Sequence, residues 1–448
     1  MYAALKNSTT VFKLTDDIIG RNEVIKMTLL IKGGHIIDGQ THTGDILIKD
    51  GKIAEIADNI HAPDAEVLDV TGLTVAPGLV DMHVHFREPG FEHKEDIKTG
   101  SAAAAAGGVT TCCCMPNTSP AADNAEILRY ITDKAKDAAV TVLPIGAVTI
   151  GQKGGELTDF ANLKSAGAVA LSDDGYPVQS AHLMRQAMQK AREQDLLIIS
   201  HCEDEEMVRN YAVNEGCVSR QLRMPGRPAI AEELMVARDA MMARETGARV
   251  HIAHVSTAGS VEIIRRAKAD GVTITAETCP QYFVLTEDEL LRQDTLARVN
   301  PPLRTSADVT AIIEGLRDGT IDAIATDHAP HAPEDKNVSL SDAQSGMIGL
   351  ETSLALALTF LYHTGKLSLD QIIKLMSENP ARILGLNAGR IATGASADIV
   401  IFDPDEQWTV EPELFKSKAR NTPFGGVRLR GRVKYTISRG NLVYGGDR

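Results

Sequence analysis

The segment Asp81-Met82-His83-Val84-His85-Phe86-Arg87 follows the turn Ala76-Pro77-Gly78. In an extended strand residues two apart point the same way, so His83 and His85 aim two imidazoles at one point, a grip for a metal ion. A lone His-x-His pair says little. Four more residues of ligating type close other apolar runs: Asp174 after Leu171-Ser172-Asp173, His201 after Ile198-Ile199-Ser200, His254 after Ile252-Ala253, and Asp327 after Ala325-Thr326. Nitrogen and oxygen donors without thiolate suit Zn²⁺, with Mn²⁺, Co²⁺ and Fe²⁺ as alternatives. The six exceed what one tetrahedral ion needs and suffice for two ions sharing a carboxylate. Singly, each has a plainer account: His201 bonded to a carbonyl, Asp327 capping a turn, His254 competing with His251, which cannot face the same side of a strand. Together, five strand ends each presenting a ligand are not explained by packing.

The elements that must position these residues alternate along the chain. Apolar, strand-like runs end at His83/His85, Met115-Pro116-Asn117, Ala147-Val148-Thr149, Ser172-Asp173-Asp174, Ser200-His201, Ala253-His254, Glu277-Thr278 and Thr326-Asp327-His328. Helical stretches such as Ala181–Glu193 and Val261–Ala269 lie between them. Eight such repeats predict an α/β fold, a (β/α)8 TIM barrel over residues 77–387, whose C-terminal strand ends and loops build the site. Outside it, short alternating runs (Leu29–Ile31, Asp45–Lys49, Lys52–Ala57, Ala65–Val70) flank an Asp50-Gly51 hairpin signal. Similar text returns at Gly389–Ile391, Ala397–Phe402 and Val433–Ile437. Residues 27–76 and 388–448 are therefore expected to form one small β-sandwich domain from both chain ends. Residues 1–26 match nothing that follows and read as an extension; Met27 is a natural start, and a short ordered arm is the alternative. Ala332–Ser345, rich in Ser with Pro333, Asp335 and Asn337, is the candidate mobile loop or lid.

Composition bounds the chemistry. A formal charge of −14 over 448 residues argues against nucleic acid or an anionic membrane as partner, since both call for a basic patch. Six cysteines, Cys112, Cys113 and Cys114 among them in a row, lack a disulfide scaffold's spacing and read as small buried residues in a reducing cytoplasm. No run of 18 apolar residues and no signal-peptide core is present.

The run His83-Val84-His85-Phe86-Arg87-Glu88-Pro89-Gly90, then Met115-Pro116-Asn117-Thr118, Asp173-Asp174-Gly175, His254-Val255-Ser256-Thr257, Asn300-Pro301-Pro302-Leu303-Arg304 and Asp327-His328-Ala329-Pro330-His331 closely resembles the dihydroorotases of the amidohydrolase superfamily, from about Leu29 onward. The resemblance implies a barrel with a small β-sandwich, one or two Zn²⁺ per subunit, and interconversion of N-carbamoyl-L-aspartate and L-dihydroorotate in pyrimidine synthesis. It makes His83 and His85 ligands of one ion and His201 and His254 ligands of the other. Asp174 is then the bridging ligand, and Asp327 both ligand and catalytic acid/base. Asp174 is preferred for its spacing of 27 residues before His201, with Asp173 as runner-up. Many relatives carry a carboxylated lysine at the bridge; this chain has none there, like the long bacterial type with aspartate.

Dihydroorotate carries an α-carboxylate, which a guanidinium grips through two parallel hydrogen bonds. Arg87, two residues beyond His85, is placed for that, with ion pairing to Glu88 or Glu92 as the surface alternative. The resemblance adds Asn117 and His331 as carboxylate partners, Asn300 with the backbone near Gly346 at the ring, and His85 as a further substrate contact; a turn before Pro301 explains Asn300 equally. Its acid/base role makes Asp327 favour cyclisation in acid and hydrolysis in base. A homodimer is expected, and aspartate carbamoyltransferase is a candidate partner. Glu277-Thr278-Cys279-Pro280-Gln281-Tyr282-Phe283 is closer to the hydantoinase and dihydropyrimidinase pattern, so a hydantoin, dihydropyrimidine or allantoin hydrolase is the alternative enzyme. An inactive scaffold for the carbamoyltransferase is the alternative of another kind.

Overall fold

Alternating burial and one tight turn set the first sheet. In the computed structural model, which describes residues 28–39 and 41–445, the strands β1 (Leu29–Ile37), β2 (Thr41–Lys49), β3 (Lys52–Ala57), β4 (Glu66–Asp69) and β5 (Thr74–Pro77) precede the first helix. The expectations for residues 1–26 and for Met27 lie outside the described residues. Asp50 and Gly51 join β2 to β3 with φ of 51° and 77°, the positive values at both central positions that a type I′ hairpin turn needs.

Next come β6 (Leu79–Val84), β7 (Val109–Cys114), β8 (Thr141–Pro144), β9 (Ala170–Ser172) and β10 (Leu197–Ser200). After a small two-stranded ribbon, β11 (Val213–Asn214) with β12 (Gly226–Arg227), follow β13 (Val250–Ile252), β14 (Ile274–Thr278) and β15 (Ala323–Ile324). Parallel ladders join β6 to β7 to β8, and β9 to β10 to β13 to β14 to β15. Two parallel bridges, Gly146↔Leu171 and Val84↔His328, close these two sheets into one eight-stranded barrel. Among the helices between strands are Ala181–Glu193 and Ala258–Ala269. The latter starts before the expected Val261 because the Thr257 hydroxyl caps it, accepting from the Ser260 N–H at 3.1 Å. Among the described residues no helix is long and apolar enough to cross a membrane.

Strand geometry accounts for the three cysteines in a row. Cys112 and Cys114 face the helices, while Cys113 points inward with Met82, Met115, Ile145 and Ile199. All three are buried, and burial raises their thiols. Cys217 departs from the expectation: it is exposed.

Both chain ends meet in one sheet. The strands β16 (Ile399–Thr409), β17 (Arg428–Ser438) and β18 (Asn441–Gly445) add to the first five in the order β18-β17-β16-β5-β1-β2-β3, with β4 on β1. Ile399 lies opposite Pro77 in the antiparallel β16–β5 ladder. Gly389–Ile391 is not a strand: Ile391 packs into the same core as Ile31, Ile46, Ile53 and Ile401 but joins no ladder. Its apolar signal reports burial and not pairing.

Candidate metal centre and substrate pocket

The C-terminal strand ends bring the six expected ligands to one place. Within 4.8 Å of one another lie ligand atoms of His83, His85 and Asp327, and of His83, Asp174 and His254. Asp174 Oδ1 is 3.4 Å from His83 Nε2 and from His201 Nδ1 and 3.5 Å from His254 Nε2, and its Oδ2 is 3.5 Å from His85 Nε2. Asp327 Oδ1 lies 3.0 Å from His85 Nε2 and 3.5 Å from His83 Nε2. The neighbouring Asp173 points elsewhere, accepting from the N–H groups of Val148 at 2.8 Å and Thr149 at 3.2 Å. His251, lower on β13 and also inside the barrel, meets Glu277 and not the aspartates of the cluster.

These residues are held under strain. Arg87 (φ 62°), His254 (φ 33°) and Asp327 (φ 48°) adopt left-handed backbone, which costs a residue with a Cβ about 1–2 kcal/mol. Such outliers persist where the surrounding structure dictates a side chain's direction.

Behind the cluster stands a second layer, in which Glu277, Glu203 and Arg227 join the expected Asn117 and Asn300. Glu277 Oε1 is 2.6 Å from His83 Nδ1, and the Nδ1–H of His85 donates to Asn117 Oδ1 at 2.8 Å. Glu203 Oε2 lies 3.6 Å from His201 Nε2, and its Oε1 accepts from Arg227 at 2.7 Å. Asn300 is bound into this network, its oxygen accepting from Arg227 and its nitrogen donating to Glu203 at 3.2 Å. The i, i+2 logic that paired His83 with His85 also pairs His201 with Glu203. Glu277 stands 194 positions from His83, and no local signal joins them.

Electrostatics favour a cation in this centre. His201 Nδ1 and His254 Nε2 are 2.7 Å apart, so they share a proton or a cation between two lone pairs. His83 Nε2 and Asp174 Oδ1 are buried without a hydrogen-bond partner. Burial works against charge on Asp174, yet His83, His201 and His254 hold its carboxyl well below the usual range. Burial is likewise outweighed at His201, pushed up to about 10 by Asp174 and Glu203, and at His83, raised by Asp174 and Glu277. Imidazoles raised and carboxylates lowered are the mark of a donor set built around positive charge, which divalent metal satisfies.

The cluster floors a cavity of about 730 Å³ that Arg87, Asn117, Asn300, His331 and Gly346 also line. Arg87 donates from Nε to the Pro330 carbonyl at 3.2 Å and forms no ion pair among the described residues. Glu88 instead accepts from the Tyr130 hydroxyl at 2.9 Å and pairs with Lys134 at 3.3 Å, so the surface pairing with Arg87 is not formed. Burial, then Arg87 and Lys336, lowers His331 to about 2 and keeps it neutral, its Nε2–H donating to the Ser345 carbonyl at 2.9 Å. Only glycine fits at Gly346, with φ at 136° and an added Cβ 2.6 Å from that of Ala329.

The segment expected to be mobile is tied over this cavity. Pro333–Lys336 forms a short helix, and the buried Lys336 Nζ lies within hydrogen-bond distance of the carbonyls of Thr295 (3.1 Å), Arg298 (3.2 Å) and Gln344 (2.7 Å). A larger cavity of about 860 Å³ lies against the chain-end sheet beside Trp408 and Glu351; it holds neither group of clustered ligands.

Solved structures share this architecture. The L-hydantoinase (dihydropyrimidinase) of Arthrobacter aurescens superposes with a TM-score of 0.84 at 27% identity, covering 94% of this chain and 97% of that one. A D-hydantoinase gives 0.84 at 24% identity, covering 94% and 95%. Barrel and donor set thus define a metal-dependent amidohydrolase. Sequence relatives narrow the class: residues 72–260 match the Dihydro-orotase-like family. The chain is 51% identical over 419 residues to the dihydroorotase of Acetivibrio thermocellus and 53% identical over 420 to that of Pelotomaculum thermopropionicum, covering 93% of itself and 98% of each. It belongs to the dihydroorotase family.

Proposed function

We propose that the chain is a zinc-dependent dihydroorotase, closing N-carbamoyl-L-aspartate to L-dihydroorotate and opening it again in pyrimidine synthesis. The observation that carries the substrate is Arg87, an unpaired guanidinium on the strand edge that holds His83 and His85. A ring bearing an α-carboxylate uses it, and a plain hydantoin or dihydropyrimidine leaves it in the cavity without a counterion. Relatives at about half identity named dihydroorotase agree.

His83, His85, His201, His254, Asp174 and Asp327 would hold the metal, and their nitrogen and oxygen donors suit Zn²⁺. When bound, it supplies a Lewis acid and a water acidified toward neutrality. Arg87, with Asn117 beside it, orients the α-carboxylate so that the ring amide faces Asp327. In hydrolysis Asp327 takes the proton of the attacking water and passes it to the departing ring nitrogen. In cyclisation Asp327 takes the proton of the carbamoyl nitrogen as it attacks the side-chain carboxyl and passes it to the departing oxygen, which leaves as water with one further proton taken from solution. Cyclisation therefore rises toward acid and hydrolysis toward base. Residues 77–387 would carry this chemistry, and 27–76 with 388–448 would make up the β-sandwich domain.

Purified protein supplied with zinc should turn over both substrates and leave hydantoin, dihydrouracil and allantoin nearly untouched. No turnover of either, with zinc bound, would overturn the proposal; faster turnover of an uncharged ring would move it to the hydantoinase reading.

A further inference from the structure

We infer that Glu277 is the positioning residue of the metal centre: its carboxylate fixes the tautomer and direction of His83, while its second oxygen faces His251. The inference rests on reading the histidine–aspartate cluster as a metal centre. Glu277, His83 and His251 are each fully buried, at 0% exposure, so whatever they bond to is protein or metal.

Glu277 sits near the end of β14 and faces into the barrel. Its Oε1 stands 2.6 Å from His83 Nδ1. An ionised carboxylate only accepts, so the Nδ1 of His83 must carry the proton and Nε2 is left with its lone pair. That Nε2 faces Asp174 at 3.4 Å and Asp327 at 3.5 Å and has no hydrogen-bond partner. The other oxygen of Glu277 lies 3.3 Å from His251 Nε2, and His251 Nδ1 is held by the Thr275 hydroxyl at 2.8 Å. Thr275 thus holds His251 and Glu277 holds His83, with the two pairs meeting beneath the centre in the contact of Glu277 with His251.

Within the His-x-His pair the backing is unequal. His85 leans on the neutral amide of Asn117, His83 on an anion. A carboxylate-backed imidazole is the more basic ligand and the better oriented one, and losing such a partner weakens metal binding about 10- to 100-fold.

The test is zinc affinity by chelator competition, with the melting temperature of the metal-free protein read beside it. Glu277→Gln keeps an oxygen near His83 but removes the charge. The expected result is zinc affinity lower by about 10- to 100-fold while the metal-free melting temperature stays near that of the wild type. Unchanged affinity in a variant that folds would overturn the role. If Glu277→Gln does not fold, imidazole nitrogen NMR on the zinc-loaded wild type decides: a proton on His83 Nδ1 supports the inference, and one on Nε2 overturns it. Wild-type protein that takes up no zinc overturns the metal centre itself, and this role with it.

Discussion

At the scale of single residues, adjacent carboxylates have opposite fates. Asp174 enters the histidine cluster while Asp173 accepts from the backbone of Val148 and Thr149. Asp174→Asn should therefore lose metal measured by atomic absorption, whereas Asp173→Asn should keep its metal and lose about 1–3 kcal/mol of stability in urea titrations. Equal metal content in both would reverse the assignment. Arg87→Met should raise KM for dihydroorotate roughly 10- to 150-fold, the worth of a charge-assisted hydrogen bond, while residual turnover of an uncharged ring stays as it was. Asp327→Asn should depress kcat in both directions by about 10²- to 10⁴-fold; retention of one direction would show that a different group carries the proton. The clustered histidines and aspartates were legible as polar ends of apolar runs, and strand period aims His83 and His85 together, whereas His254 and Asp327 turn inward on left-handed backbone. The supports of the cluster were not legible: Arg227 and Glu277 reach the site from elements far along the chain.

At the scale of elements, apolar runs ending in polar residues located the eight barrel strands because a parallel strand buried on both faces has no other use for its polar end. The same signal misplaced Gly389–Ile391, where a buried isoleucine serves the sandwich core without a ladder. Composition marked residues 332–345 as loop, yet could not show that Lys336 anchors it to carbonyls 8 to 41 residues away. Lys336→Met should leave those carbonyls unpaired, and protease should then cut between 333 and 345 faster than in the wild type. The anchor is also sensitive to pH. Burial, with Arg298 adding like charge, lowers Lys336 to about 7 from the ordinary 10.5. Between those values the unfolded chain binds the extra proton, so this residue's contribution is full above about 10.5 and is lost as pH falls through about 7. The wild type should gain stability over Lys336→Met as pH rises from 7 to 10, by up to about 1.4 kcal/mol per pH unit. A difference between the two proteins that stays flat across that range would refute the anchor's titration.

At the scale of the molecule, the barrel has a seam. Most strand pairs share ladders, but β15 is two residues long and meets β6 through the single bridge Val84↔His328. Asp81 reinforces that seam, accepting from the His83 N–H at 3.1 Å and the Thr326 N–H at 3.2 Å. The candidate ligands straddle it, His83 and His85 on one side and Asp327 on the other. Metal bound there would clamp one of the two single-bridge closures of the barrel while touching nothing in the chain-end sheet. Binding to the folded chain alone stabilises it by about 4 kcal/mol at a free metal concentration a thousandfold above Kd. Chelation should therefore lower the melting temperature, and amide exchange should accelerate first around residues 83–88 and 325–330, with β1, β2 and β16 keeping their protection. Exchange that rises equally in the chain-end sheet would mean that the metal stabilises the molecule globally and that the seam is not its point of action. Refilling with metal should restore protection at the same amides, because the clamp acts through side chains from both edges of one closure.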